Sequence, residues 1–247
     1  MHPSLLDWLL MTDSHNRILL KLSGEQLAGE FESGIDPKLV AWLALEVKKV
    51  SQSGCQVIIM VGGGNFVRGA QIAGHGIQRV TGDHMGMLAT MINALALTDI
   101  FEAQELETRC LSNIFAQQVA EPFVFRLANK HLQKHRVVVV AGGIGRPYLT
   151  TDTAAVSLAL ELDCDIVLKA TKVDGVYTKD PAKFPDAERL EKISFQEAVE
   201  NEEISVMDKA ALGLAMEHKM PVIVFDAMKE DNLLRASRGE QIGTKIS

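Results

Sequence analysis

Four short stretches of this chain set glycines, hydroxyls and cations side by side. They are Lys21-Leu22-Ser23-Gly24, Gly62-Gly63-Gly64-Asn65 running on to Arg68-Gly69, Gly142 to Pro147, and Lys169 to Gly175. Glycine lacks a Cβ, so its backbone N–H can approach an anion and point at it. Lys21, Lys169 and Lys172 add point charges, and Arg68 adds a planar fork suited to phosphate. Glycine-rich turns are common after parallel strands, and one such loop says little. Four of them with accompanying cations imply ligands that carry several phosphates. Lys21 lies near the end of the apolar run RILLKL, where an ammonium is expensive to bury without an anion, so it reads as functional. Asp152 has two compatible readings: the N-cap of a following helix, or a carboxylate that holds lysines around a transferring group. Asp83 reads in the same way as a helix cap. His84 reads as a structural or surface residue, and Met85 and Met87 as core or interface.

The commoner phosphate and catalytic motifs are missing. No Gly-Lys dipeptide occurs, so there is no Walker A loop. GGGNFVRG lacks the third glycine of the dinucleotide fingerprint, and there is no H-E-x-x-H or G-x-S-x-G.

Loops of this kind need a scaffold that brings their ends together. Five apolar runs of strand length supply one: Arg17–Leu22, Gln56–Val61, Arg136–Ala141, Asp165–Lys169 and Pro221–Phe225. None alternates cleanly with polar residues, as expected of strands buried on both faces of a parallel sheet. Between them lie helical patterns. Asp36-Pro37 reads as N-cap and first helical position, Leu39, Val40, Leu43, Val47 and Val50 form one apolar face, and Gly54 closes the helix. A second helix is expected to start near Asp83, a third at Thr151 or Asp152, and Ser194 with Glu197 has capping-box spacing. Strand alternating with helix is an α/β fold with a mostly parallel sheet. The loops then follow the carboxyl ends of the strands, where open α/β sheets bind ligands.

Composition sets outer bounds. The 247 residues are 47% hydrophobic, enough to bury a core without crosslinks. A net charge of −7 argues against broad nucleic-acid binding. Cys55, Cys110 and Cys164 are widely spaced and odd in number, which reads as buried reduced thiols in a cytoplasmic protein. No apolar run reaches the roughly 20 residues of a membrane span. Residues 1–10 carry Asp7 and no basic region, a poor signal peptide, and Met11 offers an alternative start. The expected organisation is an extension over 1–16 and one domain over 17–247.

Four segments, VGGGNFVRG, GDHMGMLAT, TTDTAA and VLKATKVDGVYTKDP, closely resemble the bacterial uridylate kinases of the amino-acid-kinase superfamily. The likeness runs from Arg17 to the terminal RGEQIGTKIS. KATKVDGVYTKDP is shared with sibling kinases, whereas GDHMGMLAT is the more specific segment. The resemblance implies a three-layer α/β/α sandwich, the amino-acid-kinase fold, with the acceptor side in the N-terminal part and the ATP side in the C-terminal part. It implies transfer of the γ-phosphate of ATP to UMP in pyrimidine nucleotide biosynthesis. Lys21, Leu22, Ser23 and Gly24 would hold ATP phosphates, with Lys21 neutralising the transferred group. Gly63 would face UMP and Gly64 ATP, and Arg68 would reach phosphate between the two. Asp152 joins Lys21 and Arg68 as a catalytic residue. Asp83 would accept from the UMP ribose hydroxyls. The segment Ile144, Gly145, Arg146, Pro147, Tyr148, Leu149, Thr150 and Thr151 would wrap UMP. Thr171, Tyr177 and Asp180 would contact adenosine. Mg2+ should arrive on ATP, with no dedicated metal site on the protein. A homohexamer built from dimers, GTP activation and UTP inhibition are implied as well; no nucleic acid or membrane is.

The family usually reads G-T-G-N-P where this chain has Gly143-Ile144-Gly145-Arg146-Pro147. A hydroxyl is lost and a cation gained on the acceptor side. Two rivals remain at this level: a sibling kinase acting on carbamate, acetylglutamate or isopentenyl phosphate, and a non-catalytic nucleotide-binding protein on the same fold.

Overall fold

A computed structural model describes residues 14–72, 76–179, 181, 183–184, 186–201, 204 and 206–247. Met11 and most of the expected extension lie outside the described residues. The strands are β1 Arg17–Leu22, β2 Gln56–Val61, β3 Thr108–Ser112, β4 Glu121–Pro122, β5 Val137–Ala141, β6 Ile166–Thr171, β7 Val176–Tyr177, β8 Arg189–Leu190, β9 Lys192–Ile193, β10 Val222–Asp226 and β11 Thr244–Ile246. The helices are α1 Gly24–Leu27, α2 Pro37–Gln52, α3 Gly69–Ile72, α4 Arg79–Ala103, α5 Phe125–Leu132, α6 Thr151–Glu161, α7 Phe195–Glu200, α8 Lys209–His218 and α9 Asn232–Ser237.

Among the described residues the main sheet has nine strands in the order β4-β3-β5-β2-β1-β6-β10-β11-β9. The five expected runs form β1, β2, β5, β6 and β10, which lie consecutively within it and pair in parallel. β11 is antiparallel to β10. β3 escaped the sequence reading because TRCLS is half polar: Thr108 Oγ1 donates to the Leu106 carbonyl at 2.7 Å, and Arg109 reaches out to Glu102. Its backbone pairs with β5 all the same.

Period 2 divides the strand side chains between two cores. Ile18, Leu20 and Leu22 of β1, with Val57, Ile59 and Val61 of β2, face Val40, Leu43 and Val47 of α2 and Ala94, Leu97 and Phe101 of α4. Leu19, Ile58, Met60, Val138 and Val140 face the opposite way, onto Ala155, Val156 and Ala159 of α6 and Ala211, Leu212 and Ala215 of α8. Helices therefore cover both faces of the sheet. α2 begins as its sequence predicts, with Asp36 accepting from the Lys38 and Leu39 N–H groups. Gly54 takes φ +93° just past its end, a left-handed conformation that glycine adopts at little cost. The three cysteines are free and buried.

α6 starts at Thr151, as expected, but its cap differs from one reading of Asp152, and the start of α4 differs outright. α4 starts at Arg79 after Gln78, so Asp83 lies one turn inside the helix and does not cap it. α6 is capped by Thr150, whose side chain accepts from the Asp152 N–H; Asp152 sits at its second position. At 25 residues α4 also matches a membrane span in length and composition. Its Met91, Ala94, Leu97 and Phe101 are spent on the core of the sheet instead.

Candidate active site

The register of β1 and β6 sets Lys21 directly opposite Lys169 on adjacent parallel strands. Both alternate with residues of the α2 and α4 core, so both ammoniums rise on the α6 side. Asp152, at the start of α6, meets them there. Its Oδ1 lies 2.7 Å from Lys21 Nζ, and its Oδ2 lies 2.6 Å from Lys169 Nζ. Lys169 also donates to the Val206 carbonyl. Lys21 and Asp152 are each only 8% exposed. Burial works against the Asp152 carboxylate, but the two lysines prevail and hold its pKa below the usual range. Lys169 is pushed down, first by burial and also by repulsion from Lys21. Asp152 is the carboxylate in contact with both ammoniums, and Asp208 adds a longer-range attraction on Lys169, so the cluster favours the entry of a further anion.

The loop from β5 to α6 turns sharply. Gly142, Gly143 and Gly145 have φ of +82°, +55° and +72°, and Tyr148 follows at +67°. Glycine meets the first three at little cost, whereas tyrosine is held there by its surroundings. The Tyr148 N–H donates to Asp83 Oδ2 at 2.8 Å, and its ring lies 5.2 Å from the Arg79 guanidinium. Arg79 Nε in turn donates to both Asp83 oxygens, at 2.9 and 3.0 Å. Asp83 thus ties the tip of the loop to α4.

α4 anchors the glycine-rich loops from behind. Asn93 and Asn65 exchange side-chain amides at 2.7 and 2.9 Å, and Asn93 also donates to the Gly62 carbonyl at 2.7 Å. Thr90 Oγ1 accepts from the Gly142 N–H at 2.7 Å. A Cβ on Gly63 would stand 2.8 Å from the Ala89 Cβ and the Gly86 carbonyl oxygen, closer than real contacts allow. In front of the loop, Arg68 pairs with Glu25, and the Glu25 carboxylate lies over Gly64.

Two clefts open on this set. One of about 500 Å³ is lined by Lys21, Ser23, Gly24, Gly63, Gly64, Arg68, Asp83, Ile144, Leu149, Thr150 and Thr151. The other, of about 930 Å³, is lined by Thr171, Tyr177, Asp174, Lys172, Lys229 and Val206. Lys169 bridges toward it through Val206. Most residues singled out in the sequence therefore face one cleft or the other. Leu22 packs its side chain into the α2 core. Arg146 and Tyr148 are exposed, and they and Gly145 and Pro147 stand outside the first cleft's lining. Asp180 lies outside the described residues. Sequence reasoning missed Asn93, Thr90, Arg79, Glu25 and Asp208. Asn93 and Thr90 were legible as polar residues within the apolar pattern of α4, and fully buried polar groups need partners.

A model of the amino acid kinase family matches residues 16–226. The chain belongs to the amino acid kinase family. A curated relative of this kinase, named uridylate kinase in Dichelobacter nodosus, is 46% identical over 232 residues, 94% of this chain and 96% of that one. The crystal structure of UMP kinase from Bacillus anthracis superposes with a TM-score of 0.90 at 36% identity, covering 95% of this chain and 96% of that one. UMP kinase from Ureaplasma parvum gives 0.87 at 33% identity, with 94% and 98% covered.

Proposed function

We propose that this amino acid kinase transfers the γ-phosphate of ATP to UMP, giving UDP and ADP. The observation that carries the reading is the Lys21–Asp152–Lys169 bridge, which runs from Lys21 in the lining of the smaller cleft to the carbonyl of Val206, a residue that lines the larger. A UMP phosphate oxygen is already ionised at neutral pH, so no general base is required. Positioning and charge compensation suffice for phosphoryl transfer. In this reading the smaller cleft takes UMP, with Asp83 on the ribose and the 144–151 segment around the nucleotide. The larger takes adenosine, with Thr171 and Tyr177 beside it, and Asp180 is assigned to the same nucleoside on the family resemblance alone. Ser23, Gly24 and Gly64 hold ATP phosphates, Gly63 faces UMP, Lys21 neutralises the moving group, and Arg68 leaves Glu25 for phosphate. The domain spans 17–247, acceptor side first.

Mg2+ fits as a passenger of ATP. Glu25 and Asp83 are the carboxylates that line the smaller cleft among the described residues, and each is paired with an arginine. The oxygen donors such a hard cation needs are those of the phosphates. When bound, Mg2+ would neutralise charge on the β- and γ-phosphates. The full reading includes a cytoplasmic homohexamer in pyrimidine nucleotide biosynthesis, activated by GTP and inhibited by UTP.

The test is coupled UDP production from ATP with UMP, compared with CMP, carbamate, acetylglutamate and isopentenyl phosphate, with and without GTP. UMP should be strongly preferred. Lys21→Ala should lower turnover by about 100-fold or more with an unchanged far-UV circular dichroism spectrum. Near-normal turnover in a folded Lys21→Ala variant would sink the assignment.

A further inference from the structure

Asp208 stands at the start of α8, outside the linings of both clefts, and its carboxylate is unusually busy. As N-cap of α8 it accepts from the Ala211 N–H at 2.9 Å. It also accepts from two hydroxyls on the neighbouring helix. Thr153 Oγ1 donates at 2.9 and 3.0 Å to its two oxygens, and Thr150 Oγ1 donates to Oδ2 at 2.5 Å. A cap alone needs none of this, because serine or asparagine caps a helix as well as aspartate does.

The bond to Thr150 decides the direction of the hydroxyl. A hydroxyl has one proton. With that proton given to Asp208, a lone pair is left facing the Asp152 N–H, which it accepts at 3.0 Å. The same Asp152 then presents one oxygen to each lysine. Two residues before Asp208, the Val206 carbonyl takes the other bond of the Lys169 ammonium. The segment 206–208 therefore touches the lysine bridge from two sides: through Val206 on Lys169, and through Thr150 on the first turn of α6.

We propose that Asp208 is a positioning residue for phosphoryl transfer, acting through Thr150 to fix Asp152 and, with it, both lysines. The inference rests on the kinase reading above. Asp208 touches no substrate, so its effect should fall on kcat and not on the Michaelis constants. Asparagine at 208 would still cap α8. It offers one acceptor and one NH2, so it cannot accept from Thr150, Thr153 and the cap together.

The experiment compares the full-length wild type, Asp208→Asn and Thr153→Val by coupled UDP production, with thermal unfolding measured alongside. Thr153→Val removes a bond to the same carboxylate but leaves the Thr150 link intact. Asp208→Asn should lower kcat about 10- to 100-fold, the range that small misplacements produce, with the KM for ATP and UMP within about 3-fold. Thr153→Val should keep kcat within about 3-fold even where its midpoint falls as far as that of Asp208→Asn. A folded Asp208→Asn variant with wild-type kcat overturns the proposal, as does an equal loss of kcat in Thr153→Val. Should Asp208→Asn fail to fold, Asp208→Ser takes its place: serine still caps α8 but is too short to hold Thr150 and Thr153, so the same loss of kcat is expected, and a wild-type kcat in it overturns the proposal. A wild type that makes no UDP would sink the kinase reading itself, a result distinct from these.

Discussion

Asp152 is the residue whose environment is most demanding. Its pKa is held low in the fold, so its ion pairs contribute stability above the unfolded carboxylate range of about 3.9 and lose it as the pH falls through the lower folded value. Asp152→Asn leaves two buried ammoniums face to face. Removing one partner of a buried pair costs about 3–5 kcal/mol, and UDP production should fall with it. The penalty should shrink as the pH rises toward the alkaline range. Lys169 already has a lowered pKa, and the unfolded chain then binds more protons than the folded one, so folding is favoured as Lys169 neutralises. Urea unfolding of both proteins at pH 5, 7 and 9 checks this; a penalty that is flat or grows with pH contradicts it. The lysine at 21 was legible from its place in an apolar run. Its pairing with 169 was not, since nothing local fixes which strands become neighbours.

At the scale of elements, α3 and α4 cross where Gly69 meets Gly82. A Cβ on Gly82 would lie 2.7 Å from the Gly69 carbonyl oxygen, and one on Gly69 would lie 2.4 Å from that of Gly82. Either alanine must push the two helices apart. Arg68 precedes one glycine and Asp83 follows the other, so the displacement reaches both sides of the smaller cleft. Gly82→Ala should cost about 1–3 kcal/mol by overpacking and lower kcat/KM for UMP about 10-fold or more. Steady-state kinetics and a melting curve measure the pair of effects; a variant as active as wild type would show that the crossing can open harmlessly. The GDHMGMLAT segment was readable as a resemblance. The mechanical role of α4, with Thr90 at the end of that segment and Asn93 three residues further on holding the loops of β5 and β2, emerges only where the helix lies beneath both.

At the scale of the whole molecule, the sheet carries a core on each face, and α4 still shows apolar residues outward. Leu88 and Ile92, one turn apart, are 56% and 49% exposed. In the proposed hexamer this stripe lies in a subunit contact, so Leu88→Asp with Ile92→Asp should shift the sedimentation coefficient to that of a smaller species. An unchanged coefficient would place the contact elsewhere.

The sequence by itself determined the α/β class, the five central strands, the start of α2 and the cluster of phosphate-suited loops. Those are local properties: β-branched runs, an Asp-Pro cap and glycine next to cations act within a few residues. Tertiary structure alone decided that Lys21 and Lys169 stand side by side, that Asp152 bridges them instead of capping α6, that half-polar TRCLS joins the sheet, and that Asp208 faces two threonines. Each of those depends on strand order, register or helix packing between residues far apart in the chain, where the energy of a contact is settled by what the rest of the fold brings to it.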